Sequence, residues 1–379
     1  MKILHVISGL DSGGAENVLL RLIVNDPQNE HMIINLKSHG ALQALAENQG
    51  IMVHCMAITG LTSFARSLIP GVKLIRSMSP DLIQGWMYHG DLWAALVGSL
   101  AGVRDIRWNV RNGRLSWRRS SFLTLLVVLC CSVISRFVPR GIIYCSRAAR
   151  QMHNSFGYGN INETVIHNGF DLEKFRPDQN SRQEWRSAFG FKDEVHIFGC
   201  IGRLHPQKNH TGFISALGHM RTDLIANNMH IVFVGGGEPE ARDELLVLID
   251  ELQLNSCISL IDHVSDVGSV MNGIDFLVMP SIFGESFPNV VAEAMACGTP
   301  CIANLVGGVD VIIGETGWII NVADPESIKD SMLHAVRLRS DSDLFQAMKE
   351  ASVERITETF PLTQMIDEYR TFWRLHGSI

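Results

Sequence analysis

The amino-acid sequence predicts an α/β protein with two doubly wound domains, each a parallel sheet covered by helices on both faces. Short apolar runs typical of buried strands alternate with helix-like stretches along the whole chain. A polar segment, residues 169–186, interrupts this alternation near the middle. The chain has 379 residues, of which 46% are hydrophobic and 19% charged, which suits two domains with sizeable cores.

The first half contains seven predicted strands, and amphipathic stretches that favour helices lie between most of them. The strand-like runs are 2–8, 31–36, 51–56, 81–85, 106–110, 141–145 and 164–167. The longest apolar stretch, Phe122–Ile134, has 13 residues. A membrane span needs about 20 residues, so this stretch predicts a buried or interfacial helix.

The second half repeats the arrangement with six predicted strands. Its strand-like runs are 195–201, 230–235, 257–261, 275–279, 300–303 and 317–320. The segment 171–186 is polar, contains Pro177 and lacks periodicity, which predicts a linker between a domain at 1–170 and a domain at 187–360. The last segment, 361–379, opens with the pattern of one amphipathic helix.

Two glutamates, Glu285 and Glu293, lie eight residues apart in the second half. Pro288 suits the first turn of a helix, and Gly298 suits the residue after its last turn. This spacing predicts that Glu285 lies in the preceding loop and Glu293 about two turns inside the helix. The free amides at the helix start, around residues 289–290, would bind an anion. Such a layout can hold a nucleotide-linked sugar, with amides for the diphosphate and carboxylates for hydroxyl groups.

The first strand ends in a glycine turn, Gly13-Gly14, that opens a helix, so backbone amides there can approach a phosphate. A simple tight turn is the alternative. The spacing is not Gly-x-Gly-x-x-Gly, and the second strand is followed by Lys37 rather than by an acid. A nicotinamide-dependent enzyme is therefore disfavoured.

Three further candidate side chains follow predicted strands, where α/β proteins place functional groups. His89 follows the run 81–85, and a single histidine is most often only a structural residue. Arg203 and Lys208 follow the run 195–201 and are separated by four residues. Cations at this position would stabilise the negative charge that develops on a departing diphosphate.

At Glu285 and Glu293 the chain resembles the retaining GT-B glycosyltransferases of family 4, whose mark is Glu-x7-Glu. The resemblance covers essentially the whole chain in order. The matching segments are the Gly13-Gly14 loop, the His89 segment, 166–171, Arg203 with Lys208, and Glu285 with Glu293. The chain departs from the family pattern in two places, with His167 where relatives have Pro and Asp310 where many have Glu.

The resemblance implies two Rossmann-like domains that face a central cleft. The first would bind the acceptor and receive the C-terminal helix within 361–379, and the second would bind the nucleotide-sugar. The catalytic residues that it implies are His89, Arg203, Lys208 and Glu285. The donor-binding residues that it implies are Gly13, Gly14, Gly202, Gly236, Phe287, Asn289, Val290 and Glu293. His89 would contact the sugar's O6 region or support the reacting centre, rather than act as a general base.

The activity implied is retaining transfer of a hexosyl or N-acetylhexosaminyl group, with UDP favoured over GDP by family frequency. The acceptor would be a lipid-linked or saccharide molecule in the synthesis of a bacterial surface polysaccharide such as lipopolysaccharide. Two alternatives stay open: a UDP-sugar epimerase of GT-B shape, and a non-catalytic protein that binds sugar nucleotides. Transfer, epimerisation or bare binding of labelled UDP-sugars would distinguish the three.

The net charge of −7 disfavours nucleic acid as a partner, but the charge is uneven. Residues 104–140 hold eight arginines and one acidic residue. Three of those arginines, Arg114, Arg118 and Arg119, precede the apolar helix and suit an anionic membrane surface that carries the acceptor. A charged face beside a core helix is the alternative. The scattered cysteines and the absence of a signal-peptide pattern favour a cytoplasmic protein, peripheral at the inner face of the membrane.

No cofactor or catalytic metal is expected, since the nucleotide-sugar is a substrate. The sequence contains one Asp-x-Asp, at Asp341 and Asp343, in a polar stretch with no preceding strand. That context predicts a solvated loop rather than a metal site. No His or Cys group has zinc spacing.

Overall fold

The computed structural model describes residues 1–11, 13–113, 122–262 and 264–374 of the chain, without the side chain of Phe122. These residues form two compact domains. The first domain consists of residues within Met1–Gly169 and the C-terminal helix Leu362–Arg374. The second domain is Phe170–Pro361.

The first domain is built on a seven-stranded parallel sheet. Its strands are β1 (Lys2–Ile7), β2 (Glu30–Asn35), β3 (Met52–Cys55), β4 (Leu82–Trp86), β5 (Ile106–Val110), β6 (Gly141–Tyr144) and β7 (Glu163–Val165). The helices that follow them are α1 (Gly14–Val24), α2 (Gln43–Asn48), α3 (Leu61–Met78), α4 (Met87–Ala101), α5 (Phe122–Ile134) and α6 (Arg147–Ser155).

The second domain has a six-stranded parallel sheet. Its strands are β8 (His196–Ile201), β9 (Met229–Val234), β10 (Ile258–Ile261), β11 (Phe276–Met279), β12 (Cys301–Asn304) and β13 (Gly317–Ile320). Its helices are α7 (Gln179–Ala188), α8 (His210–His219), α9 (Arg221–Ala226), α10 (Pro239–Glu251), α11 (Val267–Gly273), α12 (Asn289–Ala296), α13 (Val309–Ile313), α14 (Pro325–Ser340) and α15 (Ser342–Thr359). A short 3₁₀ helix lies at Pro206–Lys208, and α16 (Leu362–Arg374) packs on the first domain.

Each of the thirteen strand-like runs of the sequence overlaps one strand of the described structure, with ends that differ by at most two residues. The central strands β4, β5 and β6 are buried at every position, because helices cover both faces of a parallel sheet. The edge strand β3 has only half-buried and exposed residues. Continuous apolar runs therefore identify these strands well.

The strand order places a topological switch point in each sheet. The orders are β3-β2-β1-β4-β5-β6-β7 and β10-β9-β8-β11-β12-β13, so the direction of winding reverses between β1 and β4 and between β8 and β11. Open α/β sheets bind ligands outside the carboxyl ends of the strands at such points. In each domain, the loops that follow these two strands carry the candidate residues.

The segment 171–186 is not the irregular linker that its polar sequence predicts, because α7 begins within it. The Asp178 carboxylate accepts a hydrogen bond from the Ser181 amide and caps the helix. The Trp185 ring is buried against Gly273, where a Cβ atom would overlap the ring. A single large aromatic side chain therefore packs this helix on the domain, although the sequence around it is polar.

A buried carboxylate, Asp275, ties α7 to the rest of the second domain. It accepts hydrogen bonds from Arg182 at 2.6 Å, from Arg186 at 2.7 Å and from the Ile197 amide at 2.8 Å. The Arg339 guanidinium lies 3.0 Å from the same carboxylate. Burial alone would raise the pKa of Asp275, but the three arginines outweigh it and lower the pKa below its usual value.

Helix α5 has one buried and one exposed side, although its sequence is apolar throughout. One side is buried, with Val128 and Cys131 fully inaccessible. The other side exposes apolar side chains at helical spacing. These are Leu123, Leu126, Leu129 and Val133. None of the helices in the described part of the chain combines the length and hydrophobicity that a membrane span requires.

Candidate active site

The second domain brings two sequence motifs together at its switch point. The loop after β8 carries Arg203 and Lys208, and the loop after β11 carries Glu285. The Lys208 ammonium lies 2.7 Å from the Glu285 carboxylate, although the two residues are 77 positions apart. Their side chains are 20% and 10% exposed, so the ion pair is partly shielded from water.

The same carboxylate oxygen of Glu285 accepts two further hydrogen bonds. The Ser281 hydroxyl donates at 3.0 Å and the Gln207 amide at 3.2 Å. These donors fix the carboxylate on one side, and within the described ranges its second oxygen has no hydrogen-bond donor and could accept from a ligand hydroxyl. Ser281 and Gln207 are not among the site residues that the sequence predicts. The signal that points to them is position, because Gln207 lies between Arg203 and Lys208, and Ser281 follows β11.

Glycines allow the loops after β8 and β9 to approach each other. Gly202 has a φ of +159° and Gly235 a φ of +149°, and a Cβ atom on Gly235 would overlap the Gly202 carbonyl. The Leu204 amide donates to the Gly236 carbonyl at 2.9 Å. The predicted donor residues Gly202 and Gly236 therefore belong to one tight backbone arrangement at the ends of β8 and β9.

The helix after Glu285 is shorter than the sequence suggests. Pro288 is the N-cap residue rather than part of the first turn, and α12 ends before Gly298, which has the expected left-handed φ of +74°. Glu293 is the fifth of the eight helical residues, so it lies about one turn inside the helix, and the prediction of two turns is wrong.

The first residues of the helix are the ones that the sequence predicts. Asn289 and Val290 are its first two residues and are half-buried, and Glu293 is also half-buried. Phe287 is 5% exposed, and its ring packs against Phe360 with 5.3 Å between centroids. The Phe287 side chain therefore belongs to the core, and only its backbone could face a donor.

Lys208 is paired with Glu285, and the other groups around this pair differ in charge and exposure. Arg203 is exposed, with no ion pair in the part of the chain that the structure describes. His205 caps the 3₁₀ helix by accepting a hydrogen bond from the Gln207 amide. Burial and the Lys208 charge lower the pKa of His210 to about 4, so this histidine is neutral at pH 7.

In the first domain, the loop after β1 and the helix after β4 flank the other switch point. Gly13 is the N-cap of α1 and Gly14 is its first residue, so the backbone amides at the start of this helix lie at this edge of the sheet. His89 is half-buried in the first turn of α4. Burial and the nearby Lys37 charge lower the pKa of His89, which favours the neutral imidazole.

The arginine-rich segment does not form one basic surface. Arg107 is fully buried and pairs with Asp105 at 2.7 Å. Arg111 is also buried and donates to Asn168 at 2.8 Å. The number of arginines in this segment therefore overstates its surface charge, because Asp105 and the Trp373 carbonyl bind Arg107, and Asn168 binds Arg111, in the interior. The three predicted membrane residues lie outside the described residues. These are Arg114, Arg118 and Arg119.

Asp341 and Asp343 lie where α14 meets α15. The Asp341 carboxylate accepts a hydrogen bond from the Leu344 amide and caps α15, and Asp343 lies in the first turn of that helix. Asp341 is therefore a helix cap and Asp343 a helical residue, in place of the predicted loop. Among the described residues, no group of three His, Cys, Asp or Glu side chains could hold a metal ion.

Comparison with known proteins identifies proteins that are similar to this chain in sequence. Residues 195–337 match the family model of the glycosyl transferases group 1. A UDP-Gal:alpha-D-GlcNAc-diphosphoundecaprenol alpha-1,3-galactosyltransferase of Escherichia coli is 27% identical over 322 residues, which are 81% of this chain and 79% of the relative. A D-inositol 3-phosphate glycosyltransferase of Mycobacterium marinum is 32% identical over 167 residues, which are 42% of this chain and 34% of the relative.

Solved structures agree on the fold. Anabaena Alr3699/HepE in complex with UDP-glucose superimposes with a TM-score of 0.85 at 20% identity, over 98% of each chain. WaaG, a glycosyltransferase involved in lipopolysaccharide biosynthesis, gives a TM-score of 0.74 at 14% identity, over 99% of this chain and 100% of the other. The predicted fold class is thus confirmed: the chain has the GT-B fold of glycosyltransferases, and most of its second domain matches the group 1 family.

Proposed function

We propose that this protein transfers a sugar from a nucleotide-sugar, favouring a UDP-sugar, to a lipid-linked or saccharide acceptor with retention of anomeric configuration. The observation that carries the proposal is the contact between Lys208 and Glu285. The two residues come from separate motifs, and both lie at the switch point where an α/β sheet binds ligands. Exposed Arg203 lies in the same loop as Lys208.

The two cations suit the leaving group of this reaction. Transfer breaks the bond between the anomeric carbon and the diphosphate oxygen, so negative charge grows on the diphosphate. Lys208 and Arg203 would stabilise that charge where it develops, and the amides at residues 289–290 would bind the phosphates. Glu285 would hold a hydroxyl of the donor sugar, and Glu293 would hold the ribose hydroxyls.

The retaining step needs no protein nucleophile in this proposal, because both glutamates are assigned to hydroxyl groups. The acceptor oxygen attacks the anomeric carbon from the face that the diphosphate leaves, through an oxocarbenium-like state. The acceptor proton passes to the departing phosphate oxygen, so the products are the glycoside and UDP. Neither step uses a metal ion, and we expect activity to persist in EDTA.

The choice of donor and acceptor draws on the relatives. The Escherichia coli relative is a galactosyltransferase that uses UDP-Gal and a diphosphoundecaprenol-linked GlcNAc, and the Anabaena structure holds UDP-glucose. By analogy, we assign this chain to bacterial surface-polysaccharide synthesis, such as that of lipopolysaccharide, with a hexosyl or N-acetylhexosaminyl donor. The first domain would bind the acceptor.

We further propose that the protein is cytoplasmic and binds the inner face of the membrane, where a lipid-linked acceptor resides. The apolar stripe of α5 supports this assignment, because Leu126 and Val133 expose 43% and 64% of their surface. An interfacial helix of this kind inserts its apolar side chains among lipid headgroups. The arginines at 114–119 would add attraction to anionic lipid, at about 1 kcal/mol each.

The test is incubation of the purified protein with UDP-glucose, UDP-galactose or UDP-N-acetylglucosamine and a synthetic GlcNAc-diphospholipid. We expect release of UDP and a glycolipid that is heavier by one sugar, measured by mass spectrometry. Conversion of the UDP-sugar to its epimer would support the epimerase alternative, and binding without turnover would support the binding-protein alternative.

A matched pair of variants connects the activity to the site. Lys208→Ala should abolish most of the UDP release, whereas Lys192→Ala, at an exposed position of the same domain, should leave it unchanged. Equal turnover in the two variants would contradict the assignment of Lys208 to the leaving group.

A further inference from the structure

The residues on either side of His89 anchor the first turn of α4 to the interior of the first domain. The Tyr88 hydroxyl lies 2.7 Å from the His153 ring, and both residues are buried. Gly90 touches the neighbouring strand so closely that a Cβ atom would lie 2.5 Å from the Val6 carbonyl oxygen. His89 therefore projects from a turn that is fixed at two adjacent positions.

Asp91 is the third anchor of this turn. It is 1% exposed, and its Oδ1 atom accepts a hydrogen bond from the Asn109 amide at 3.3 Å. A Cβ atom on Gly85 would lie only 2.6 Å from the same oxygen, so glycine is required there to make room for the carboxyl group. The side chain thus joins the start of α4 to the ends of β4 and β5.

The backbone at the start of α4 is strained, and these anchors hold it in place. Trp86 is extended, but Met87, the first residue of α4, has a left-handed φ of +64°. A non-glycine residue in this region costs about 1–3 kcal/mol and keeps its conformation only when the surrounding structure enforces it. The chain adopts this geometry two residues before His89.

The surroundings of this carboxyl group favour its uncharged form. Burial raises the pKa of Asp91 well above its usual value, and the Asn109 hydrogen bond only partly offsets this effect. The titratable groups around it, Tyr88, Cys131 and Tyr144, are neutral at pH 7, since burial raises pKa values that already lie above 7. The Oδ2 atom has no hydrogen-bond partner among the described residues. A protonated acid avoids the large cost of an unpaired buried charge.

We propose that Asp91 is a positioning residue, whose carboxyl group holds the first turn of α4 against β5 and thereby sets the place of the His89 imidazole. The proposal rests on the proposed function only in that His89 serves the transfer reaction. Asp91 itself does not touch substrate. Its contribution to turnover is made entirely through the orientation of His89.

The experiment compares Asp91→Asn with Asp91→Ala. Asparagine preserves the shape and the acceptor for the Asn109 amide, so Asp91→Asn should keep kcat within about threefold of the wild-type value. Alanine removes the anchor, and a displacement of about 1 Å costs up to ~100-fold in rate, so kcat should fall by ~10–100-fold. UDP affinity, which we assign to the second domain, should not change.

A second readout does not depend on activity. The His89 ring titration can be followed by NMR, with its signal assigned by comparison with His89→Gln. The pKa of His89 should stay lowered in wild type and Asp91→Asn, and should move toward 6.5 in Asp91→Ala, as the ring leaves its half-buried place beside Lys37. An unchanged His89 pKa in Asp91→Ala would overturn the proposal, whether or not the wild-type protein transfers sugar.

The control separates positioning from general loss of stability. Ile23→Ala removes a buried side chain from the last turn of α1 and leaves the α4 turn intact, so it should lower the melting temperature while kcat and the His89 titration stay unchanged. Loss of activity in Asp91→Asn equal to that in Asp91→Ala would also refute the proposal, since it would require an ionised carboxylate. Absence of transfer by the wild type would refute the proposed function alone.

Discussion

Removal of the Lys208 ammonium should cost both stability and turnover, by different amounts. Taking one partner from a fully buried ion pair costs about 3–5 kcal/mol, whereas exposed pairs contribute about 0–1 kcal/mol. Here the Lys208 and Glu285 side chains are 20% and 10% exposed, and the Glu285 carboxylate keeps its hydrogen bonds from Ser281 and Gln207. We therefore expect Lys208→Met to lower the free energy of unfolding by about 1–2 kcal/mol.

The loss of turnover should be larger, because the ammonium group stabilises charge that appears only in the transition state. Loss of one such donor lowers kcat by about 10²–10³-fold. The double variant Lys208→Met with Glu285→Gln replaces the ion pair by an uncharged pair. Its unfolding free energy should return to within about 1 kcal/mol of wild type, while kcat should not recover.

The assay combines urea unfolding with the initial rate of UDP release, and Lys192→Met serves as the control at an exposed position of the same domain. Recovery of stability without recovery of kcat separates the structural role of the pair from its catalytic role. The reasoning is refuted if Lys208→Met turns over at a near-normal rate, or if stability and kcat recover together in the double variant.

Three other predictions concern separate parts of the molecule. Glu293→Ala should weaken UDP binding in calorimetry more than Glu285→Ala does, and equal losses would refute the division of roles. Asp275→Asn should destabilise the second domain by about 3–5 kcal/mol at pH 7. Because the arginines lower the pKa of Asp275, this difference should begin to shrink as the pH falls below about 4 and vanish only below the lowered pKa of the folded state, and a constant difference would contradict it. Changing the arginines at 114–119 to serine should release the protein from anionic vesicles at low salt, while UDP binding persists. If the wild-type protein does not bind such vesicles, these arginines do not bind the membrane.

The sheets could be predicted from local sequence, because buried parallel strands are continuously apolar. Helix α7 could not, since its polar residues conceal a packing surface made by Trp185 and by arginines that bind Asp275, about 90 residues away. Glu293 lies only about one turn inside α12, because four helical residues precede it after the Pro288 cap, and the residue count from Glu285 includes loop residues. Local patterns identify elements but do not fix their ends or their distant partners.

The candidate residues could be found from motifs, but their contacts could not. Lys208 and Glu285 were assigned to different groups of the donor, and their direct contact depends on the placement of β8 beside β11. Arg107 and Arg111 were counted as surface charge, whereas residues of the C-terminal helix accept hydrogen bonds from both in the interior. The residues in these pairs are about 80–270 positions apart, and the order of the strands brings them together. A local sequence pattern cannot predict such contacts.

The most direct test of the central claim is the anomeric configuration of the product. A UDP-sugar with an α-linked donor should be supplied with the synthetic GlcNAc-diphospholipid, and the anomeric coupling of the new glycoside measured by proton NMR. We predict the small coupling of an α-linked product, formed with release of UDP. A β-linked product would contradict the retaining mechanism, and an intact UDP-sugar with no glycoside would contradict the proposed transfer itself.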